Sequence, residues 1–279
     1  MLTVLFKGDV DKVTGKHGSI TTIISVWNGM VGSGLMTIPW AFSESGLILG
    51  LLLSTLGFTI SFTTQYFCFK AAGDDLDFTS TMEKHFGRRG WKFGMFVFIG
   101  FFFVPVIVFM QLLSQMLFPV LLALRFFLTG SGSTEMASLE LNFSEFSYSY
   151  TVLMIFAILM ALGTMKDLSL FVKLNTYGAV FTVIVILFIC SVGINAIMYP
   201  NDEIGGLVPT NVPPIKMFDF TKYKSLLGIL SGGFYCHNLS VPMLRSAANP
   251  ENSLRDLFIG FFAVLMSYCI CGIFGYIGF

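Results

Sequence analysis

The chain has 279 residues, of which 55% are hydrophobic and only 11% charged, with zero formal net charge and a mean hydropathy of +0.80. Soluble domains carry about 25% charged residues, so this composition excludes one and predicts an all-α polytopic membrane protein whose main partner is the lipid bilayer. The balanced charge offers no basic surface for nucleic acid.

Residues 1–18 hold Lys7, Asp9, Asp11, Lys12 and Lys16 and lack the apolar core of a cleavable signal peptide. We expect a short cytosolic N-terminal tail, with the transmembrane domain over 19–279. At about 20 apolar residues per span, the spans fall near 20–42, 46–70, 93–128, 148–164, 172–198, 224–244 and 256–279. The third is long, and Pro105 and Pro119 are candidate kinks. The seventh runs to Phe279 without a polar flank, so the chain reads as cut short.

The first span, Ser25–Phe42, contains Gly29, Gly32, Gly34 and Pro39, with Asn28, Ser33 and Thr37 among them. Each glycine in a helix interior costs about 0.8–1.0 kcal/mol relative to alanine, an expense that a plain lipid-crossing span avoids. The cluster predicts a helix that opens and frees backbone groups, which are tolerated at membrane depth only when buried in protein or lining a cavity.

Lys and Arg set the orientation. With a cytosolic N-terminus, twelve of the sixteen fall on the cytosolic side, leaving only Arg125, Lys216, Lys222 and Lys224 opposite, as the positive-inside rule favours. The sequon Asn142-Phe-Ser144 then lies in the 129–147 loop on the luminal or extracellular side, where Asn142 is a candidate glycosylation site. Asn238-Leu-Ser240 lies inside a span and is discounted for glycosylation. The charged segment Gly73–Trp91 reads as a solvated cytosolic connection. Tyr199–Lys222, with Pro200, Pro209, Pro213 and Pro214, reads as an extended external loop.

Span six repeats the breaker pattern with Gly228, Gly232, Gly233 and Pro242, and places Ser231, Tyr235, His237, Asn238 and Ser240 at its middle. Matched interruptions in corresponding spans point to the binding site of an inverted-repeat transporter; close helix packing is the plainer use of each single glycine. An amino acid needs both its charges met. A half-helix N-terminus offers N–H groups to a carboxylate, and a C-terminal turn offers carbonyls to an ammonium or Na⁺. The candidate substrate residues are Asn28, Gly29, Gly32, Ser33, Gly34, Gly233, Phe234, Tyr235, His237 and Asn238. The span-one backbone near Trp27 and Met30 is a candidate contributor to a Na⁺ site, and Trp27, Phe234 and Tyr235 are candidate pocket walls. His237 reads equally as a functional ionisable group and as a neutral histidine bonded to a neighbouring helix. No Asp or Glu lies mid-membrane, which leans towards Na⁺-coupled or uncoupled transport. The five cysteines (Cys68, Cys190, Cys236, Cys269 and Cys271) lie in apolar runs without disulfide or metal spacing.

Trp27-Asn-Gly-Met-Val-Gly-Ser-Gly-Leu-Met-Thr-Ile-Pro-Trp-Ala-Phe42, followed by Glu44-Ser-Gly46, resembles the opening of the amino acid/auxin permease family. Phe234-Tyr-Cys-His-Asn238 and Asn252-Ser-Leu-Arg-Asp256 resemble its sodium-coupled neutral amino acid transporter branch, and in particular its lysosomal side. The resemblance implies a LeuT-like inverted-repeat fold, here the first five-helix repeat plus two helices of the second. It also implies neutral or cationic L-amino acids as substrate, Ser33 at the substrate-contacting position, Na⁺ symport and an endolysosomal membrane, with the plasma membrane as the alternative. The eighth span, which supplies part of the family's Na⁺ site, is not in this sequence. The short tail leads us to expect no cytosolic signalling partner. The rival readings are an amino-acid-binding membrane sensor and a truncated product without transport. An enzyme is not expected, because no nucleophile–base cluster stands at a membrane face.

Overall fold

The computed structural model describes residues 18–32, 34–73, 75, 78–129, 147–164, 168–198, 215–245 and 247–278. It is helical, with no β-strand among the described residues. In chain order the helices are α1 (Ser19–Val31), α2 (Gly34–Ser45), α3 (Leu47–Ala72), α4 (Phe78–Thr129), α5 (Tyr148–Gly163), α6 (Leu168–Met198), α7 (Lys224–Gly233), α8 (His237–Arg245) and α9 (Ser253–Gly278), the last preceded by a 3-10 turn at Pro250–Asn252. Among the described residues, four segments are each long and apolar enough to cross a membrane: Leu47–Ala72, Val106–Leu128, Gly178–Met198 and Pro250–Gly278. The segments expected to be spans one and six are each two shorter helices.

The chain forms two compact units. In the one built from residues 91–168, Tyr148 at the start of α5 donates its hydroxyl to the Gln111 carbonyl at 3.2 Å and sets its ring edge-on to buried Phe118, 5.8 Å away. The other unit, residues 1–90 with 169–279, carries the candidate site.

In that larger unit α9 packs against α1, α2 and α3, while α2 packs on α7 and α1 on α8. The shared core includes Val26, Met30, Leu35, Ile38, Phe42, Leu230, Phe261 and Val264. Lipid is as apolar as these side chains, so association depends on close fit and small residues. A Cβ at Gly260 would meet Val26 at 2.7 Å, one at Gly272 would meet the Phe42 ring at 2.6 Å, and one at Gly50 would meet the same ring at 2.8 Å. Pro39 is accommodated inside α2 because Gly275 leaves room for its ring. At the start of α9, Asp256 sits in the first turn, where a carboxylate complements the helix dipole. Arg255 bonds that carboxylate at 3.0 Å and reaches the Ser19 hydroxyl on α1 at 3.3 Å.

The segment leading into α7 forms a strap over the α2–α3 turn. The carbonyls of Lys216 and Met217 accept from the N–H groups of Leu47 (2.9 Å) and Ile48 (3.0 Å), the first-turn donors that a helix cannot satisfy itself. Asp219 N–H donates to the Ser45 carbonyl at 2.7 Å, and Tyr276 accepts from the Lys216 N–H at 2.8 Å. Lys222 pairs with Glu44 at 3.1 Å. The side-chain and backbone donors of Thr221, with Lys216 beside them, hold the Asp219 carboxyl down at about 2.

The connection expected over Gly73–Trp91 is helical from Phe78 onwards, with a kink at Gly87 (φ 65°). No proline or glycine falls between Phe78 and Phe86, so the charged segment propagates as a helix whose outer residues are exposed, and the chain bends only where glycine permits it.

Candidate functional site

The first interruption lies at Gly32, whose backbone (φ 42°, ψ −153°) is a conformation open in practice only to glycine. It ends α1 and releases the last carbonyls of that helix. The Tyr268 hydroxyl of α9 donates to the Met30 carbonyl at 3.2 Å, with the Val31 carbonyl at 3.4 Å as the weaker branch. Tyr268 is fully buried. The second interruption lies at Phe234–Cys236, between the end of α7 at Gly233 and the start of α8 at His237. Phe234 N–H closes on the Leu230 carbonyl (2.9 Å) and Tyr235 N–H on the Gly232 carbonyl (3.2 Å), tightening the end of α7.

Tyr268 joins the two interruptions. A Cβ at Gly233 would stand 2.5 Å from its hydroxyl and 3.0 Å from its ring, and one at Gly34 would stand 3.5 Å from the hydroxyl. Its ring meets Phe234 edge-on at 5.4 Å. Gly233, Gly34 and the end of α1 therefore converge on one buried phenol.

The other predicted residues take different places. Asn28 faces α6, where Thr182 sits 3.4 Å from its Oδ1 and Gly178 leaves space for its amide. Gly29 lies against Met243 of α8. Trp27 donates its indole N–H to Ser267 of α9 at 2.9 Å, so it is tied to the helix that carries Tyr268. Phe234 is completely buried in an aromatic cluster with Phe58 and Tyr268. Tyr235 lies 5.3 Å from the His237 ring. Gly32 is exposed at the break. Ser33 and Asn142 lie outside the described residues, as does the Asn238 side chain.

His237 begins α8 with Nε2 2.8 Å from Thr64 Oγ1 of α3. The Thr64 hydroxyl hydrogen is directed to the carbonyls of its own helix, Ile60 and Ser61, both at 3.0 Å. The His237 Nε2–H is then the donor to Thr64, and Nδ1 carries the lone pair. Nδ1 is buried without a hydrogen-bond partner. One turn further along, Gln65 donates to Ser240, so α8 is held to α3 by two adjacent polar pairs.

Sequence reasoning missed Tyr268, Thr64, Gln65, Thr182 and Ser267. Each is a polar group inside an apolar helix, the one signal available for it, because such groups at membrane depth must find partners. Among the described residues no cluster of three or more His, Cys, Asp or Glu side chains forms a metal site. Among the described residues, the break at the end of α1 offers the Met30 and Val31 backbone carbonyls.

Residues 15–279 match the family model described as transmembrane amino acid transporter protein. A sodium-coupled neutral amino acid transporter 9 homolog of Caenorhabditis elegans is 24% identical over 98% of this chain and 52% of its own length. The neutral amino acid transporter 9 of Rattus norvegicus is 24% identical over 92% of this chain and 52% of its own, and that of Xenopus tropicalis 23% over 98% and 56%. The chain spans about half the length of these relatives. With two interrupted helices converging on a buried tyrosine, and a family model matched along nearly its whole length, the chain belongs to the transmembrane amino acid transporter family, a family of transporters rather than of enzymes.

Proposed function

We propose that the protein takes part in secondary-active transport of neutral or cationic L-amino acids by alternating access, with the substrate held where the two interrupted helices meet. The observation that carries this reading is the convergence of the α1 carbonyl end, Gly34 at the start of α2, and Gly233 at the end of α7 around Tyr268. Helix interruptions of this kind supply the complementary partial charges that a zwitterion requires: carbonyls at a C-terminal end for the ammonium, N–H groups at an N-terminal end for the carboxylate. The N-terminal end of α2 at Gly34 suits the carboxylate, and the Met30 carbonyl suits the ammonium. His237 Nδ1, an acceptor without a partner, suits a second donor from the substrate.

The architecture we infer is a LeuT-like inverted repeat, supported by the pairing of α2 with α7 and of α1 with α8. Na⁺ is the coupling ion we expect, with the freed Met30 carbonyl as a contributor; Trp27 supports that region through Ser267 rather than from an open position. A cytosolic N-terminus, an endolysosomal membrane and glycosylation at Asn142 complete the reading.

The test is uptake of radiolabelled L-glutamine and L-arginine into proteoliposomes by the wild type and by Ser33→Trp. The bulky indole placed between Gly32 and Gly34 should abolish uptake while leaving the protein monodisperse. Undiminished uptake by Ser33→Trp would show that the site lies elsewhere.

A further inference from the structure

We propose that the Tyr268 hydroxyl is a built-in occupant of the substrate-ammonium position, which an amino acid must displace, so that Tyr268 sets how tightly the protein holds its substrate. The inference rests on the transport reading above and adds to it a residue from outside both interrupted helices.

A helix opened inside a membrane leaves carbonyls with no water to accept from, and each unsatisfied group costs free energy. Among the described residues, the Tyr268 hydroxyl is directed at the end of α1, at the Met30 and Val31 carbonyls at 3.2 and 3.4 Å. A substrate ammonium bound to these carbonyls would need the same lone pairs. The phenol has one proton and the ammonium three, so exchange replaces one bifurcated contact by up to three separate ones.

The surroundings show that the seat is shaped for this ring. Gly233 leaves no room for even a methyl group on the ring's side, and Gly34 borders the hydroxyl. Phe234 packs edge-on against the ring at 5.4 Å, and Gly29 lies away from it against Met243. Tyr268 is held by packing, while its hydroxyl makes the polar contact to the end of α1. Taking away the oxygen should therefore leave the ring in place and the carbonyls free.

The experiment is equilibrium binding of tritiated L-glutamine and L-arginine to the purified full chain, with N-acetyl-L-glutamine and N-acetyl-L-arginine as ligands that keep the carboxylate and lack the ammonium. Tyr268→Phe should tighten binding of the free amino acids by roughly two- to twelvefold, the ratio that corresponds to the loss of one competing hydrogen bond. It should leave the N-acetylated ligands unchanged. Unaltered or weaker binding of the free amino acids, or equal tightening for the N-acetylated ligands, overturns the proposal. Wild-type protein that binds no amino acid refutes the transport reading itself, and this inference with it. Should Tyr268→Phe not fold, 3-fluorotyrosine placed at position 268 of an otherwise unaltered chain reports the same event. Its fluorine resonance should move on saturation with L-glutamine or L-arginine, and an unmoved resonance refutes displacement.

Discussion

Gly46 connects α2 to α3 at φ 86° and ψ 155°, and it lies directly beneath the strap. An alanine there meets two obstacles at once. Its φ and ψ fall in a region that side chains with a Cβ enter at a cost of about 1–3 kcal/mol. Its Cβ also lands 2.8 Å from the Met217 carbonyl carbon and oxygen and from the Phe218 nitrogen. All three are backbone atoms, so no side-chain rotation relieves the contact. The strap must lift, which breaks the bonds from Leu47 and Ile48 to Lys216 and Met217, and from Asp219 to Ser45. Each such bond is worth about 0.5–1.5 kcal/mol net. The chain takes the cheaper mixture of strain and lifting, and we expect Gly46→Ala to cost about 2–4 kcal/mol. At roughly 2–4 °C per kcal/mol for chains near this size, the Tm should fall by roughly 5–15 °C in intrinsic-fluorescence melting of detergent-solubilised protein. Trypsin should at the same time cut faster after Lys216 and Lys222. Gly228 is the internal control: it lies in α7 with nothing within 4 Å of where an alanine methyl group would stand, and with no unusual backbone angle. Gly228→Ala should be neutral or gain up to about 1 kcal/mol from helix propensity. If Gly46→Ala melts with the wild type and its strap lysines stay as protected, the strap does not hold the α2–α3 turn as described.

Two other perturbations follow from the polar contacts. The Asp219 carboxyl lies below its ordinary value of 3.8, at about 2, because Thr221 and Lys216 favour the charged form. A depressed carboxylate contributes stability that is complete above its unfolded value and lost as pH falls through the folded one. Tm measured from pH 5 to pH 2 should therefore drop less steeply for Asp219→Asn than for the wild type, and parallel curves would contradict this assignment. In the α3–α8 contact, Ser240→Ala strands the whole Gln65 amide, whose Oε1 is already without a partner, and should cost about 1–3 kcal/mol. Gln65→Leu removes that buried amide altogether and should cost less; the reverse ranking in thermal melts would refute the buried-pair reading.

The two interruptions were legible because glycine, proline and polar side chains cluster there against an apolar background. Their exact positions were not. Gly228 and Gly232 continue α7, Pro39 lies inside α2 and Pro242 inside α8, while the chain breaks at Gly32 and at Phe234–Cys236. Packing supports a proline within a helix where a glycine opposite makes room for its ring, and only tertiary contacts reveal that. Phe234 reads as a pocket wall from its place beside the glycines, yet it is turned into the core. Tyr268 was invisible for a different reason. It sits in a helix of nearly uniform hydropathy, and its partners lie more than two hundred residues earlier. The strap meets the α2–α3 turn chiefly through main-chain bonds, which carry no side-chain signature.

That strap also bears on the order in which the molecule can be finished. The N–H groups of Leu47 and Ile48 are synthesised long before the carbonyls of Lys216 and Met217 that receive them. The α2–α3 hairpin therefore gains its native acceptors only after the α6 helix has passed and the lead-in to α7 arrives. Tyr276 then secures the strap from α9 through the Lys216 N–H, so a turn made early in the chain is closed by a helix made much later.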